Sequence, residues 1–199
     1  MFIYLIRHGQ KVAVPGNPAL TALGRTQAKA SGIYLAKQNI AKVIASPLKR
    51  TQETAQLICY QLQLPFSTDE RLTERANWTA DTPIEAFIEY WHHSSRDRDW
   101  SSSIGNSSRA TGKKVDEIIN ECKQSGIDSL LLVTHGGTIT DFLRNHFSDE
   151  KLISDFFETE KQLIETAIPE CAITLVEFDG TQFALHSIAS TDHYLPDLN

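Results

Sequence analysis

The sequence predicts an α/β fold: a three-layer α/β/α sandwich with a mostly parallel central sheet and a small inserted cap segment. Two continuous apolar runs, residues 2–6 and 130–134, have the length and composition of strands that are buried on both faces. Segments with the helical spacing of apolar residues lie between and beyond these runs. Such alternation of strands and helices is typical of a parallel sheet covered by helices on both sides.

The first half of the chain contains, after the strand at 2–6, two helices that flank a short strand at 42–45. Thr21 is a good N-cap for a helix that extends to about residue 38. We expect this helix to bury Leu23, Ala30, Ile33 and Tyr34. Ser46 and Pro47 suit the N-cap and the first position of the next helix, because proline there loses no hydrogen bond. The apolar face of that helix is formed by Leu48, Ala55, Ile58, Cys59 and Leu62.

In the second half, the strand at 130–134 lies between two amphipathic helices. The helix before it has an apolar face made of Val115, Ile118, Ile119 and Cys122. The helix after it has the same spacing in Ile139, Phe142, Leu143 and His146. Residues 172–178 and 182–187, separated by Asp179-Gly180, predict a closing β-hairpin.

One segment, residues 76–109, departs from the alternation of strands and helices. We treat residues 1–199 as a single domain, in which 76–109 is a candidate cap insertion. The segment contains a short predicted helix at 83–92, followed by a polar stretch rich in serine. Insertions of this length are either surface excursions or lids over a ligand site, and both interpretations stay open.

Composition excludes several classes of protein. The 19 lysine and arginine residues against 25 aspartate and glutamate residues give a net charge of −6, so no nucleic-acid partner is expected. No apolar stretch approaches the ~18 residues that cross a bilayer, and residues 1–6 lack the basic region of a signal peptide, so no membrane association is expected. Cys59, Cys122 and Cys171 are odd in number and far apart. This spacing predicts neither a disulfide framework nor a zinc site and favours a cytoplasmic location.

Two histidines follow the two apolar strands in similar local settings: His8 after residues 2–6 and His135 after residues 130–134. Ligands of an open α/β sheet bind outside the carboxyl ends of its strands, so both imidazoles face one crevice if these strands are neighbours. Arg7 and Arg50 suit a phosphoryl group there, because guanidinium groups bind it through bidentate hydrogen bonds. The helix that begins at Gly136-Gly137 would direct free N–H groups at the same anion.

Five short motifs occur along the chain: Leu5-Ile6-Arg7-His8-Gly9, Leu20-Thr21-x-x-Gly24-x-x-Gln27-Ala28, Ala45-Ser46-Pro47-Leu48-x-Arg50-x-x-x-Thr54-Ala55, Leu72-x-Glu74 and Val133-Thr134-His135-Gly136-Gly137. In this order they resemble the motifs of the histidine phosphatase superfamily, whose branches include the phosphoglycerate mutases. Thr191-Asp192-His193 is similar to the closing motif of that family. The resemblance extends over nearly the whole chain.

The resemblance implies a role for each of five residues. His8 is the nucleophile that takes the phosphoryl group and becomes a phosphohistidine. Arg7, Arg50 and a protonated His135 hold the phosphoryl oxygens, without a metal. Glu74 protonates the leaving oxygen and later activates the water that cleaves the phosphohistidine. Because a nucleophilic imidazole must be neutral at the attacking nitrogen, the N–H of the other His8 nitrogen needs an acceptor.

Three assignments near the site have alternatives. Glu74 lies in a charged stretch of the kind that often forms a solvated surface, and Glu70 and Asp141 are the alternative acids. Relatives carry a phosphate-contacting asparagine near residue 14, and Asn17 either replaces it as a substrate-binding residue or only shapes its own turn. Trp78 either lines the pocket or belongs to the core.

These features predict a metal-independent phosphatase that hydrolyses small phosphate monoesters through phospho-His8 and needs no cofactor. The short loop before the first helix and the acidic net charge favour access of water, and therefore hydrolysis over phosphoryl return. The alternatives are a phosphoglycerate mutase, a phosphohistidine-protein phosphatase and a non-catalytic module that binds a phosphorylated ligand. The last is the weakest, because loss of catalysis usually removes some of the central residues, and Arg7, His8, Arg50 and His135 are all present.

Overall fold

A six-stranded sheet forms the centre of the computed structural model, which describes residues 1–194. The strands are β1 Phe2–Arg7, β2 Lys42–Ala45, β3 Ser67–Thr68, β4 Ser129–Thr134, β5 Ile173–Phe178 and β6 Phe183–Ser190. Their order in the sheet is β3-β2-β4-β1-β5-β6. The first four strands in this order are mutually parallel, and the β5–β6 hairpin adds antiparallel pairs beside β1. The predicted mostly parallel sheet and closing hairpin are confirmed.

Seven α-helices accompany the sheet within the described residues. They are α1 Ala22–Leu35, α2 Lys49–Leu62, α3 Ile84–Arg96, α4 Ser108–Gln124, α5 Gly136–His146, α6 Asp149–Leu152 and α7 Glu160–Ile164. The described residues also contain two shorter helical turns, a 3₁₀ turn at Glu70–Leu72 and a π-helical turn at Ile153–Phe157. No helix within residues 1–194 is both long and apolar enough to cross a membrane. Residues 195–199 of the predicted single domain lie outside the described residues.

Two apolar clusters, one on each face of the sheet, make the three-layer sandwich. Side chains of a strand alternate between the faces, so Ile3 and Leu5 of β1 join the cluster that contains α4 and α5, whereas Tyr4 and Ile6 join the cluster with α1 and α2. The central strand β4 is buried along its whole length. The predicted α/β/α layering is therefore confirmed.

The buried face of α1 differs from the predicted one. Thr21 does cap the helix, because its Oγ1 accepts the N–H of Gly24 at 3.0 Å. However, Leu23, Ile33 and Tyr34, which we expected to be buried, are exposed, and the core face consists of small residues with Gln27 and Leu35. The reason is the close approach of α2: a Cβ added to Gly32 would lie 3.1 Å from the Cα of Ile58. Large side chains do not fit between helices at that distance.

The start of α2 also differs from the predicted one. The helix begins at Lys49 with Leu48 at the N-cap position, and no side chain of the cap bonds to the helix. Ser46 is therefore not the cap, and its hydroxyl lies beside the Nε2 of His135 instead. The predicted face of the helix is buried at Ala55, Ile58 and Cys59 and partly buried at its two ends.

Candidate active site

The carboxyl ends of β1 and β4 bring the two histidines together. The strands are parallel neighbours with Arg7 opposite Thr134, so the residues that follow them, His8 and His135, leave the sheet side by side. Their ring centroids are 5.3 Å apart with an interplanar angle of 69°. Both rings are buried, with 4% and 0% of their surface exposed. The two strands are therefore neighbours, as the prediction required, and the two rings lie side by side at their carboxyl ends.

The hydrogen bonds of His8 define its tautomer. Its Nδ1 lies 2.8 Å from the carbonyl oxygen of Gly9, which only accepts, so Nδ1 carries the proton. Its Nε2 lies 3.2 Å from the Nε of Arg50, and a guanidinium N–H only donates, so Nε2 carries the lone pair. Burial, together with the charges of Arg7 and Arg50, holds the pKa of His8 well below its usual value. These contacts fit a neutral ring whose electron pair is on Nε2, where it accepts the Arg50 N–H.

Arg50 enters the site from the first turn of α2. Besides the bond to His8, its Nη2 donates to the Oδ1 of Asn77 at 3.3 Å, and its Nη1 is buried without a partner among the described residues. Burial lowers the pKa of Arg50. Thr54, one turn further along α2, donates to the Arg50 carbonyl at 2.8 Å and accepts the N–H of Gly9 at 3.0 Å. That threonine links α2 to the loop that carries His8.

Arg7 is held by a segment that the sequence analysis did not assign. One of its Nη atoms donates to the carbonyl of Ile168, and the other forms an ion pair with Glu170 at 3.2 Å. Both partners belong to the stretch between α7 and β5, which crosses the end of β1. The short, irregular elements of this stretch have no periodic apolar pattern from which they could be predicted.

His135 is buried between the first histidine and Ser46. Its Nε2 lies 2.9 Å from the Oγ of Ser46, and its Nδ1 has no partner among the described residues. Burial is the main cause that holds its pKa well below the usual value, and the neighbouring cationic groups act in the same direction. These surroundings favour the neutral ring, and the role of a protonated His135 at the phosphoryl oxygens stays a prediction.

Glu74 lies at the mouth of the crevice. Its Oε1 accepts the N–H of Gly137 at 3.0 Å, in the first turn of α5. A Cβ added to Gly137 would lie 2.9 Å from this oxygen and 2.6 Å from the Cη2 of Trp91, so only glycine permits the contact. The two alternative acids lie elsewhere. Glu70 is exposed on the 3₁₀ turn, and Asp141 is buried in an ion pair with Arg75.

Two other predicted positions have partners outside the crevice. The Oδ1 of Asn17 accepts the N–H of Lys49 at 2.7 Å, so this exposed residue satisfies the start of α2 and lines no cavity at the site. Here the loop turns its side chain towards the helix end, and a contact of Asn17 with a phosphoryl group stays a prediction. The Nε1 of Trp78 donates to the carbonyl of Thr82 at 2.9 Å, within its own loop.

A cavity of about 200 Å³ adjoins His8, and three cationic side chains are among the residues that line it. It is lined by Arg7, His8, Lys11, Arg50, Glu74, Gly136, Gly137, Glu165, Thr166 and Ala167. Lys11 was missed by the sequence analysis, although it is only three residues beyond His8. Burial and the neighbouring arginines lower its pKa. No cluster of histidine, cysteine and carboxylate residues within 1–194 is suited to hold a metal ion.

Comparisons with known proteins agree with this geometry. The family model described as "Histidine phosphatase superfamily (branch 1)" matches residues 3–191. A broad-specificity phosphatase of Saccharomyces cerevisiae is 27% identical over 96% of this chain and 86% of its own length. A probable phosphoglycerate mutase of Yersinia enterocolitica is 31% identical over 67% of this chain and 69% of its own length.

Two solved structures share the fold over nearly their whole length. A mycobacterial glucosyl-3-phosphoglycerate phosphatase in complex with inorganic phosphate has a TM-score of 0.72 at 20% identity, over 98% of this chain and 99% of its own. A phosphoserine phosphatase of Entamoeba histolytica, solved as a mutant with phosphoserine, has a TM-score of 0.69 at 24% identity, over 98% of this chain and 99% of its own. At these identities the likeness concerns the fold.

Proposed function

This chain belongs to the histidine phosphatase superfamily, and we propose that it is a phosphatase that hydrolyses small phosphate monoesters through a phosphohistidine on His8. The observation that carries the proposal is the tautomer of His8. A backbone carbonyl accepts the Nδ1 proton and a guanidinium N–H donates to Nε2, so His8 lies beside the cavity as a neutral imidazole with its electron pair on Nε2. This is the state that a nucleophilic imidazole requires.

In the first step Nε2 of His8 attacks the phosphorus atom. The new P–N bond forms while the P–O bond to the leaving group breaks, and Glu74, in its protonated form, gives its proton to the leaving oxygen. Transition states of phosphoryl transfer are loose, so the protein contributes mainly position and charge. Arg7, Arg50 and Lys11 line the same cavity as His8 and supply the positive charge that the phosphoryl oxygens need.

In the second step water attacks the phosphohistidine. The Glu74 carboxylate takes a proton from the water, the P–N bond breaks, and inorganic phosphate leaves with His8 neutral again. The buried Nη1 of Arg50 has no partner among the described residues. An unpaired buried polar atom is costly, and Arg50 lines the cavity, so a bound phosphoryl group would satisfy this donor.

The test is release of inorganic phosphate from a panel of phosphate monoesters, with EDTA present. We expect turnover that EDTA does not change and that His8→Ala abolishes. His186→Ala, which replaces a histidine on an exposed edge strand, serves as the matched control and should keep full activity. Loss of activity in EDTA that one divalent ion restores, or normal turnover by His8→Ala, would contradict the proposal.

A phosphoglycerate mutase is the second candidate, because one relative at 31% identity carries that probable activity in its name. A mutase must return the phosphoryl group to a carboxylated acceptor, and this requires cationic groups on the leaving-group side of the site. Efficient exchange of phosphate between 2- and 3-phosphoglycerate in the same assays would favour that function over hydrolysis.

We extend the proposal to the surroundings of the site. Residues 76–109 serve as a cap, since α3 places Trp91 against Gly137 at the mouth of the crevice. The three buried cysteine thiols suit a reducing compartment, so we place the protein in the cytoplasm.

A further inference from the structure

A second cavity adjoins the cationic one on the far side of Glu74. Its volume is about 300 Å³, and it is lined by Glu74, Phe87, Ile88, Trp91, His92, Glu165 and Thr166. Glu74, Glu165 and Thr166 line both cavities, so the two are continuous at the group that would protonate the leaving oxygen. A substrate with its phosphoryl group over His8 would therefore place its leaving group in this second cavity.

The second cavity lacks the cationic side chains of the first. It shares Glu74 and Glu165 with the first cavity, but none of its seven lining residues is a lysine or an arginine. Within the described residues Glu165 has one ion-pair partner, Lys161, at 3.8 Å. A carboxylate on the leaving group would lie beside the like charge of Glu165, with no lysine or arginine in the lining of this cavity, which disfavours its binding.

The apolar wall of this cavity is rigid. The Trp91 ring is fixed from one side by the guanidinium of Arg75, 4.0 Å from the ring centroid, and its edge packs against Gly137. Arg75 is itself anchored by a buried ion pair with Asp141 at 3.0 Å. Phe87 continues the aromatic surface, with ring centroids 5.9 Å apart. An aromatic wall held in place in this way binds an apolar group with little loss of side-chain freedom.

We propose that this cavity is the leaving-group subsite and that it selects phosphate monoesters with an uncharged aromatic or apolar leaving group, against carboxylated ones such as phosphoglycerates. The inference rests on the proposed function, because it needs the phosphoryl group over His8. Ile88 and Trp91 supply the apolar contact, and Glu165 rejects anionic leaving groups.

Two matched substrate pairs test the proposal through ratios of kcat/KM. Propyl phosphate and 3-phenylpropyl phosphate release similar alkoxides but differ in the aromatic ring. The esters 3-acetylphenyl phosphate and 3-carboxyphenyl phosphate have similar shape and differ in charge. We expect a preference of about tenfold or more for the phenylpropyl and for the acetyl member, the size that one apolar or charge contact usually gives.

Three variants assign the preferences to residues. Ile88→Ala, at a position 47% exposed, should lower the phenylpropyl preference several-fold, and Glu165→Gln should lower the acetyl preference. Tyr60→Ala, at a position 73% exposed on α2, should leave both ratios unchanged. Turnover with both ratios near one, or ratios that Ile88→Ala and Glu165→Gln do not move, would overturn the inference alone. Absence of turnover on all four esters would overturn the proposed function instead.

Discussion

Arg50 donates a hydrogen bond from its Nε to the Nε2 of His8 across 3.2 Å, and this contact defines which histidine nitrogen carries the electron pair. The same arginine keeps its Nη1 buried and without a partner among the described residues. In the proposed reaction a phosphoryl oxygen replaces the electron pair of His8 as the acceptor for this donor. One side chain thus orients the nucleophile before the reaction and neutralises charge during it.

Replacement of Arg50 by lysine should therefore reduce activity severely, although the positive charge remains. Lysine cannot donate to His8 and to a phosphoryl oxygen in the fixed geometry of a guanidinium. We expect Arg50→Lys to lower kcat/KM by about 100- to 1,000-fold, the usual effect of losing one preorganised donor. Arg25→Lys, at an exposed ion pair on α1, is the control and should have no effect. Near-normal activity of Arg50→Lys would show that catalysis does not need the guanidinium group to donate both to His8 and to a phosphoryl oxygen.

Stability should fall as the pH decreases below about 6.5. His8 and His135 are buried and neutral, with pKa values well below 6.5, whereas in the unfolded chain they take up protons near that pH. Because the unfolded state then binds more protons, their contribution is fully present above pH 6.5 and is lost as the pH falls towards the folded-state pKa values. The measurement is the free energy of unfolding in urea between pH 7.5 and 5.5.

In this pH range His135→Asn should reduce the slope of stability against pH by up to about 1.4 kcal/mol per pH unit, the value for one proton. His186→Asn, on the exposed edge of the sheet, should leave the slope as it is. A wild-type stability that does not change between pH 7.5 and 5.5 would show that the two histidines are not buried in neutral form.

Glu74 should matter most for poor leaving groups. An alkyl phosphate releases an unstable alkoxide unless it is protonated, so Glu74→Gln should slow its cleavage by about 100- to 10,000-fold. Phosphorylation of His8 by p-nitrophenyl phosphate needs the proton less and should be slowed far less in the burst phase. The control is Glu70→Gln, which changes an exposed residue of the 3₁₀ turn. Equal losses on both substrates would assign the acid to another group.

The buried ion pair beneath the aromatic wall should be important for stability. Asp141→Asn would leave Arg75, whose side chain is 0% exposed, as an uncompensated buried charge. Removal of one partner of such a pair typically costs about 3–5 kcal/mol, measurable by urea unfolding. Asp99→Asn breaks an exposed ion pair with Arg109 and is the control, expected to change stability little. Equal stability of the two variants would exclude a structural role for the buried pair.

Most of the fold could be predicted from the sequence, because fully apolar runs identify the buried strands at residues 2–6 and 130–134 without knowledge of their neighbours. The buried face of α1 could not, since an amphipathic pattern ranks Ile33 above Gly32, whereas the close approach of α2 selects the smaller residue. Local propensity also favoured Ser46 as a helix cap, but tertiary structure places its hydroxyl beside His135.

The candidate site likewise contains residues that the sequence could predict and residues that it could not. The predicted topology was sufficient to bring together Arg7, His8, Arg50 and Glu74 at one cavity, with His135 beside His8, because these residues lie next to strand and helix ends. Lys11, Asn77 and the segment that holds Arg7 depend on loop conformation. The side chain of Asn17 depends on its loop in the same way, and that loop directs it to the end of α2.

The most direct test of the account is to trap the phosphorylated protein during turnover. We expect rapid quenching in base, followed by proteolysis and mass spectrometry, to find one phosphoryl group on the peptide that contains His8. This phosphate should be labile in acid and absent from His8→Ala, while His186→Ala keeps it. Continued turnover with no phosphopeptide, or with the phosphoryl group on another residue, would contradict the assignment of His8 as the nucleophile.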